Sequence, residues 1–94
     1  MSNTKAPRVE IHYCLQCRWL LRAAWLAQEL LSTFESDLGE VALVPGTGGV
    51  FDILCDEQLI YSRKREGRFP EAKEIKQLVR DQVSPDKDLG HSDR

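Results

Sequence analysis

Two of the three cysteines stand three positions apart, in Cys14-Leu15-Gln16-Cys17, and the third, Cys55, is alone. Thiols at this spacing serve one of two chemistries. In the first, one thiolate attacks a disulfide and its neighbour resolves the mixed disulfide that forms. In the second, the pair supplies two of the four ligands that zinc takes. An odd total argues against a secreted disulfide framework, so the pair reads as a redox dithiol or as half of a metal site. Cys55 and His12 are the residues that could complete a zinc set. Strand parity places Cys55 with Phe51 and Ile53 and places His12 opposite Ile11, which disfavours a common metal. No metal ligand is expected, Cys55 reads as a small core residue, and His12 reads as a strand-surface histidine that could tune the dithiol.

The elements around the pair decide what it can do. Residues 8–13 alternate, with Val9, Ile11 and Tyr13 against Arg8, Glu10 and His12, as a half-buried strand does. From about Cys17 to Phe34 the period is helical, with Leu20, Ala23, Ala27, Leu30 and Phe34 on one side. Cys14 therefore closes a strand, and Cys17 is expected at the start of a helix. Unpaired N–H groups and the positive end of the helix dipole favour a thiolate there. On this placement Cys14 is expected to be the more accessible sulfur.

Two short strands, 40–44 and 50–55, follow, joined by the glycine-rich connection 45–49. A hairpin partner at 59–62, a basic loop at 63–68, and a helix opening near Pro70 and ending at Ser84-Pro85 complete the pattern. The expected fold is α/β, a two-layer sandwich in the order strand-helix-strand-strand-strand-helix. Its mixed four-stranded sheet carries both helices on one face. One domain spans 8–84, with 1–7 and 85–94 as loose termini.

Composition narrows the functions. Ninety-four residues suffice for one modest core. With 41% hydrophobic and 30% charged residues the chain reads as globular, and a net charge of −2 supplies no global field for nucleic acid or anionic membrane. Residues 1–8 contain no apolar run of the kind a secretory leader needs, and the most apolar stretch, 19–31, is interrupted by Arg22, Gln28 and Glu29. A cytoplasmic protein is expected.

The blocks Ile11-His12-Tyr13-Cys14-Leu15-Gln16-Cys17, Trp19, Arg22-Ala23 and Leu26-Ala27-Gln28-Glu29-Leu30 together resemble the selenoprotein W family. So do Gly46-Thr47-Gly48-Gly49-Val50-Phe51 and Gly67-Arg68-Phe69-Pro70. The likeness is to its cysteine-containing, Rdx-type members within the thioredoxin-like superfamily and covers residues 9–83. It implies thiol redox chemistry linked with glutathione. Cys17 matches the position at which selenoprotein members carry selenocysteine, whereas thioredoxins attack with the first cysteine, here Cys14.

The sequence reading is thus a thiol–disulfide oxidoreductase with Cys14 and Cys17 as catalytic residues, Cys14 attacking. It needs no bound cofactor; glutathione or a thioredoxin system would supply electrons, and protein thiols and disulfides or glutathione would be the partners. The rivals are a non-catalytic interaction module or redox switch, and zinc shared between chains. Arg63, Lys64, Arg65 and Arg68 form a basic cluster that reads as a solvated loop or as a holder of carboxylates. Gly46–Gly49 reads as a connector or as one wall of the redox cleft. Trp25 falls on the polar arc of the first helix and suggests a self-association or partner surface.

Overall fold

The computed structural model describes residues 6–90. Strand β1 (Arg8–Cys14) lies inside a four-stranded sheet of order β2-β1-β3-β4. It pairs in parallel with β2 (Glu40–Gly46) and antiparallel with β3 (Phe51–Cys55), and β3 turns back into β4 (Gln58–Ser62). Helix α1 (Leu20–Phe34) makes the crossover from β1 to β2. A single 3-10 turn, Glu35–Asp37, relays it to Leu38. The short helix α2 (Arg63–Glu66) follows β4, and α3 (Ala72–Val83) closes the order.

Alternation along the strands builds the core. Val9, Ile11 and Tyr13 of β1 lie in register with Cys55, Ile53 and Phe51 of β3, and all six are buried. On that face α1 packs Ala23, Leu26, Leu30 and Phe34, and α3 adds Ile75 and Val79, in one continuous cluster. The other face carries Glu10, His12 and Asp52, all partly exposed. Apolar burial on one side only gives the expected two-layer α/β arrangement.

Three local expectations are corrected. Helix α1 begins at Leu20, three residues after Cys17, because Arg18 takes a left-handed conformation (φ 63°) and a tight turn intervenes. The basic segment is not wholly a loop. Ser62 Oγ accepts the Arg65 N–H at 3.5 Å and left-handed Gly67 ends one helical turn between them. Helix α3 starts at Ala72, with extended Glu71 before it, so Pro70 stands ahead of its first turn.

The termini are held as far as they are described, and here too the expectation is corrected for residues 6–7 and 85–90. Pro7 O accepts the Gly39 N–H at 2.8 Å. Past α3, Lys87 O accepts from Arg80 Nη1 at 2.8 Å and Lys87 Nζ meets Asp37 at 3.2 Å. Leu89 packs against the core. One leucine with two tethers is enough to dock a segment whose composition alone reads as loose. Residues 1–5 and 91–94 of the expected loose termini lie outside the described residues.

Arg68 grips Glu74 with two hydrogen bonds, 2.9 and 2.8 Å, and Arg68 O accepts from Tyr61 Oη at 2.6 Å. These contacts fix the 67–70 link that carries Phe69. The Arg68 guanidinium holds the Glu74 carboxyl below the usual carboxylate range, against a partial opposing effect of burial.

Two predictions follow from these contacts. A chain ending at Pro85 should lose about 1–2 kcal/mol, from burial of one leucine and its tethers. That is roughly 5–10 °C in Tm for a domain of this size. An unchanged melting curve would show that the tethers add no net stability. Glu74→Gln should be less stable than the wild type at neutral pH. A lowered folded-state pKa contributes stability above the unfolded value and loses it as pH falls through the folded one. The deficit should therefore shrink as pH drops below the ordinary carboxylate range, as urea midpoints at pH 7 and pH 3 would reveal.

Candidate redox site

Cys14 is the last residue of β1, in register with Gly46 of β2. The chain then leaves the sheet in a turn over residues 15–18. The Arg18 N–H donates to Leu15 O at 3.1 Å, and the Trp19 N–H returns to Cys14 O at 3.4 Å. This turn brings the two cysteines to a Cα separation of 5.3 Å, and they are joined as a disulfide.

The sulfurs occupy different surroundings. Cys14 is 1% exposed, and the Cys17 N–H points at its Sγ from 3.3 Å. Cys17 is exposed. The expectation that Cys14 is the more accessible sulfur is therefore reversed. Its reason was a helix starting at Cys17. With the helix starting at Leu20, Cys17 rides on the outside of a turn and Cys14 stays at the end of an interior strand.

The wall beside the turn is made by the glycine-rich connection. Gly46 O accepts the Leu15 N–H at 3.0 Å. A Cβ on Gly46 would come within 2.9 Å of Val50 Cγ1, and Gly48 and Gly49 have φ values of 70° and 77° that favour glycine. Of the two readings of this run, the placement beside the cysteines fits the wall of the site.

The floor is aromatic. Trp19, Phe51 and Phe69 meet edge to face, with centroids 4.8 Å apart for Trp19–Phe69, 5.4 Å for Phe51–Phe69 and 6.4 Å for Trp19–Phe51. Arg22 lies 3.9 Å over the Phe69 ring, and Arg63 lies 4.7 Å over Phe69 and 5.0 Å over Trp19. The sequence reading did not single out these five residues as a unit. The available signal was that Trp19, Arg22, Phe51 and Phe69 all fall in the blocks that resemble one family.

Other candidates lie elsewhere. Cys55 is a free, buried thiol on the core face, and burial followed by the Asp56 carboxylate pushes its pKa up. His12 Nε2 lies 2.7 Å from Glu10 Oε1 on the opposite face. That contact, ahead of the Arg8 charge, holds the Glu10 carboxyl below its ordinary value. Cys55 and His12 thus share no centre with the dithiol, and among the described residues no three metal-ligating side chains gather. A depression of about 390 Å3 is lined by Arg68, Phe69, Glu74 and neighbours, and neither cysteine lines it. No helix among the described residues is long and apolar enough to cross a membrane.

Comparison with known proteins agrees with this geometry. A crystal structure of a protein from Bordetella parapertussis is 64% identical over 83% of this chain and 99% of its own, with a TM-score of 0.81. A selenoprotein W-related protein from Vibrio cholerae is 54% identical over 85% of this chain and 100% of its own, with a TM-score of 0.82. No curated protein matches the chain. The model of the Rdx family matches residues 8–81. With a Cys-x-x-Cys that starts at the end of a strand in a four-stranded mixed sheet, a family model matched over residues 8–81 and a selenoprotein W-related structure 54% identical, the chain belongs to the Rdx family.

Proposed function

We propose that the protein is a thiol–disulfide oxidoreductase in which Cys17 attacks and Cys14 resolves. The observation that carries this reading is the unequal exposure of two bonded cysteines: Cys17 is exposed and Cys14 is buried. A substrate can approach only the outer one. The match of Cys17 to the selenocysteine position of the family points the same way.

The exchange balances without a cofactor. The Cys17 thiolate attacks one sulfur of a substrate disulfide, forming a mixed disulfide and releasing the other substrate sulfur as a thiolate, which takes a proton from water. The Cys14 thiolate then attacks Cys17 Sγ and releases the second substrate thiolate. Two electrons have passed from the dithiol to the substrate, and the chain holds the Cys14–Cys17 disulfide. Two equivalents of an external thiol, such as glutathione, or a thioredoxin-type dithiol return it to the reduced form. The Cys17 N–H near Cys14 Sγ supplies a donor that stabilises the resolving thiolate. A cytoplasmic setting, where thiol systems keep such pairs reduced, suits this cycle.

The single mutants separate the roles. Cys14→Ser should accumulate a stable mixed disulfide through Cys17 when incubated with an excess of a small disulfide. Cys17→Ser should trap at least tenfold less and have no turnover, as intact-mass spectrometry and a thiol-release assay would show. Trapping by Cys17→Ser instead would assign attack to Cys14. A wild type that forms no reversible disulfide would remove the oxidoreductase reading altogether.

A further inference from the structure

The cations of this chain fall into two groups. Among the described residues, Arg8, Arg65, Arg68, Lys76, Arg80 and Lys87 each meet a carboxylate within 3.2 Å. Arg18, Arg22, Arg63 and Lys64 meet none, and all four belong to the cysteine turn or touch the ring cluster and glycine run that adjoin it; Lys73, on α3, is the remaining described cation without one. Arg18 lies in the cysteine turn itself. Arg22 and Arg63 cover the ring cluster under that turn. Lys64 Nζ lies 3.7 Å from where a Cβ on Gly48 would stand, beside the wall whose Gly46 O holds Leu15.

This distribution has a physical cost. Arg63 Nε is out of contact with water and has no hydrogen-bond partner, so ring faces alone compensate it. Like charges gathered without counter-charges repel one another. No acidic residue occupies the first turn of α1, where the helix dipole would favour one. Of the carboxylates around this segment, Glu66 pairs with Arg65 and Glu74 with Arg68, Glu71 is exposed, and Asp52 keeps a buried Oδ1 without a hydrogen-bond partner and makes no ion pair among the described residues. A chain with a net charge of −2 thus leaves an uncompensated positive rim around one end.

Apolar surface lies inside the same rim. Leu15 is 57% exposed, Leu21 82% and Trp25 50%. Leu21 and Trp25 stand one turn apart on α1. Arg22, Trp25, Leu26, Phe51 and Pro70 line a seam of only about 20 Å3, too small for a metabolite. An exposed aromatic anchor with charge around it is the makeup of a protein-binding surface.

We infer, resting on the oxidoreductase reading above, that the substrate of this site is a protein whose reactive cysteine lies in an acidic segment with an apolar residue close by. Its carboxylates face Arg18, Arg22, Arg63 and Lys64, and its apolar side chain covers Trp25 and Leu21. Charge complementarity brings the substrate sulfur to Cys17 and raises the encounter rate.

The test uses the full chain in its reduced form and three peptide disulfides, each a homodimer of one cysteine flanked by aspartates, by lysines or by serines. Every turnover converts one peptide disulfide into two peptide thiols and the dithiol into its disulfide. At low salt the aspartate peptide should be reduced at least roughly tenfold faster than the lysine peptide. The ratio should collapse towards one in about 0.5 M NaCl, where charges are screened within a few ångströms. Arg18→Glu with Lys64→Glu, which stack on no ring, should invert the ratio. Equal rates for the aspartate and lysine peptides, with ready reduction of the serine peptide, would overturn the inference and leave the dithiol chemistry standing. A stable dimer in the same samples, with no charge preference, would also overturn it and assign the patch to a second copy of this chain. Failure with all three peptides would bring down the oxidoreductase reading and the inference with it.

Discussion

The site depends on three rings. Trp19 comes from the turn that leaves the cysteines, Phe51 from the first residue of β3, and Phe69 from the link between α2 and α3. Edge-to-face contact joins these separate stretches at one end of the sheet, and each such pair adds about 0.5–1.5 kcal/mol beyond simple burial. The same tryptophan stands one residue before α1, where it has no side chain that can cap the helix. Its ring holds the helix start in place of a capping hydrogen bond. A change in the ring cluster would therefore reach the cysteines through the backbone, by way of the Trp19 N–H to Cys14 O contact.

That constraint also produces the asymmetry of the sulfurs. With Trp19 pinned to Phe51 and Phe69, the four residues between it and Cys14 must close a short span. The closure is made by left-handed Arg18, a conformation that costs a non-glycine residue roughly 1–2 kcal/mol. The turn carries Cys17 to the surface while Cys14 remains in register with Gly46. Two chemically identical residues thereby acquire different access to a partner.

Strand parity was the most informative sequence feature. The alternation at 8–13 correctly separated Val9, Ile11 and Tyr13 from Glu10 and His12, and parity along 51–55 put Cys55 with Phe51 and Ile53 in the core. Periodicity failed at the start of α1 because Trp19 and Leu20 extend the apolar pattern towards Cys17, and no glycine, proline or asparagine marks the intervening turn. Arg18 takes its conformation from the rings and backbone contacts around it, which no local preference for arginine reports. The end of the chain failed for a related reason. The entropy of ordering residues 85–90 is visible in composition, but Asp37, which receives Lys87, is fifty residues away. The pairing of cations was invisible as well. Arg65 and Arg68 look like Arg63 and Lys64 in the sequence, and only the fold assigns carboxylates to the first two.

The shape of the site restricts how it can be selective. Neither cysteine lines the depression beside α3, and the seam at Trp25 is too small for a metabolite, so on the proposed oxidoreductase reading neither of these would enclose a substrate. A sulfur at the surface of a turn is open to any disulfide that reaches it. Discrimination must then come from the ground around it. That ground consists of a glycine wall, arginines lying over rings, and an exposed tryptophan and leucines. Stacking limits the freedom of Arg22 and Arg63, so ordering them against a partner costs less than ordering free arginines. The ring cluster thus acts twice, once in setting the turn that exposes Cys17 and again in presenting rigid charge beside it.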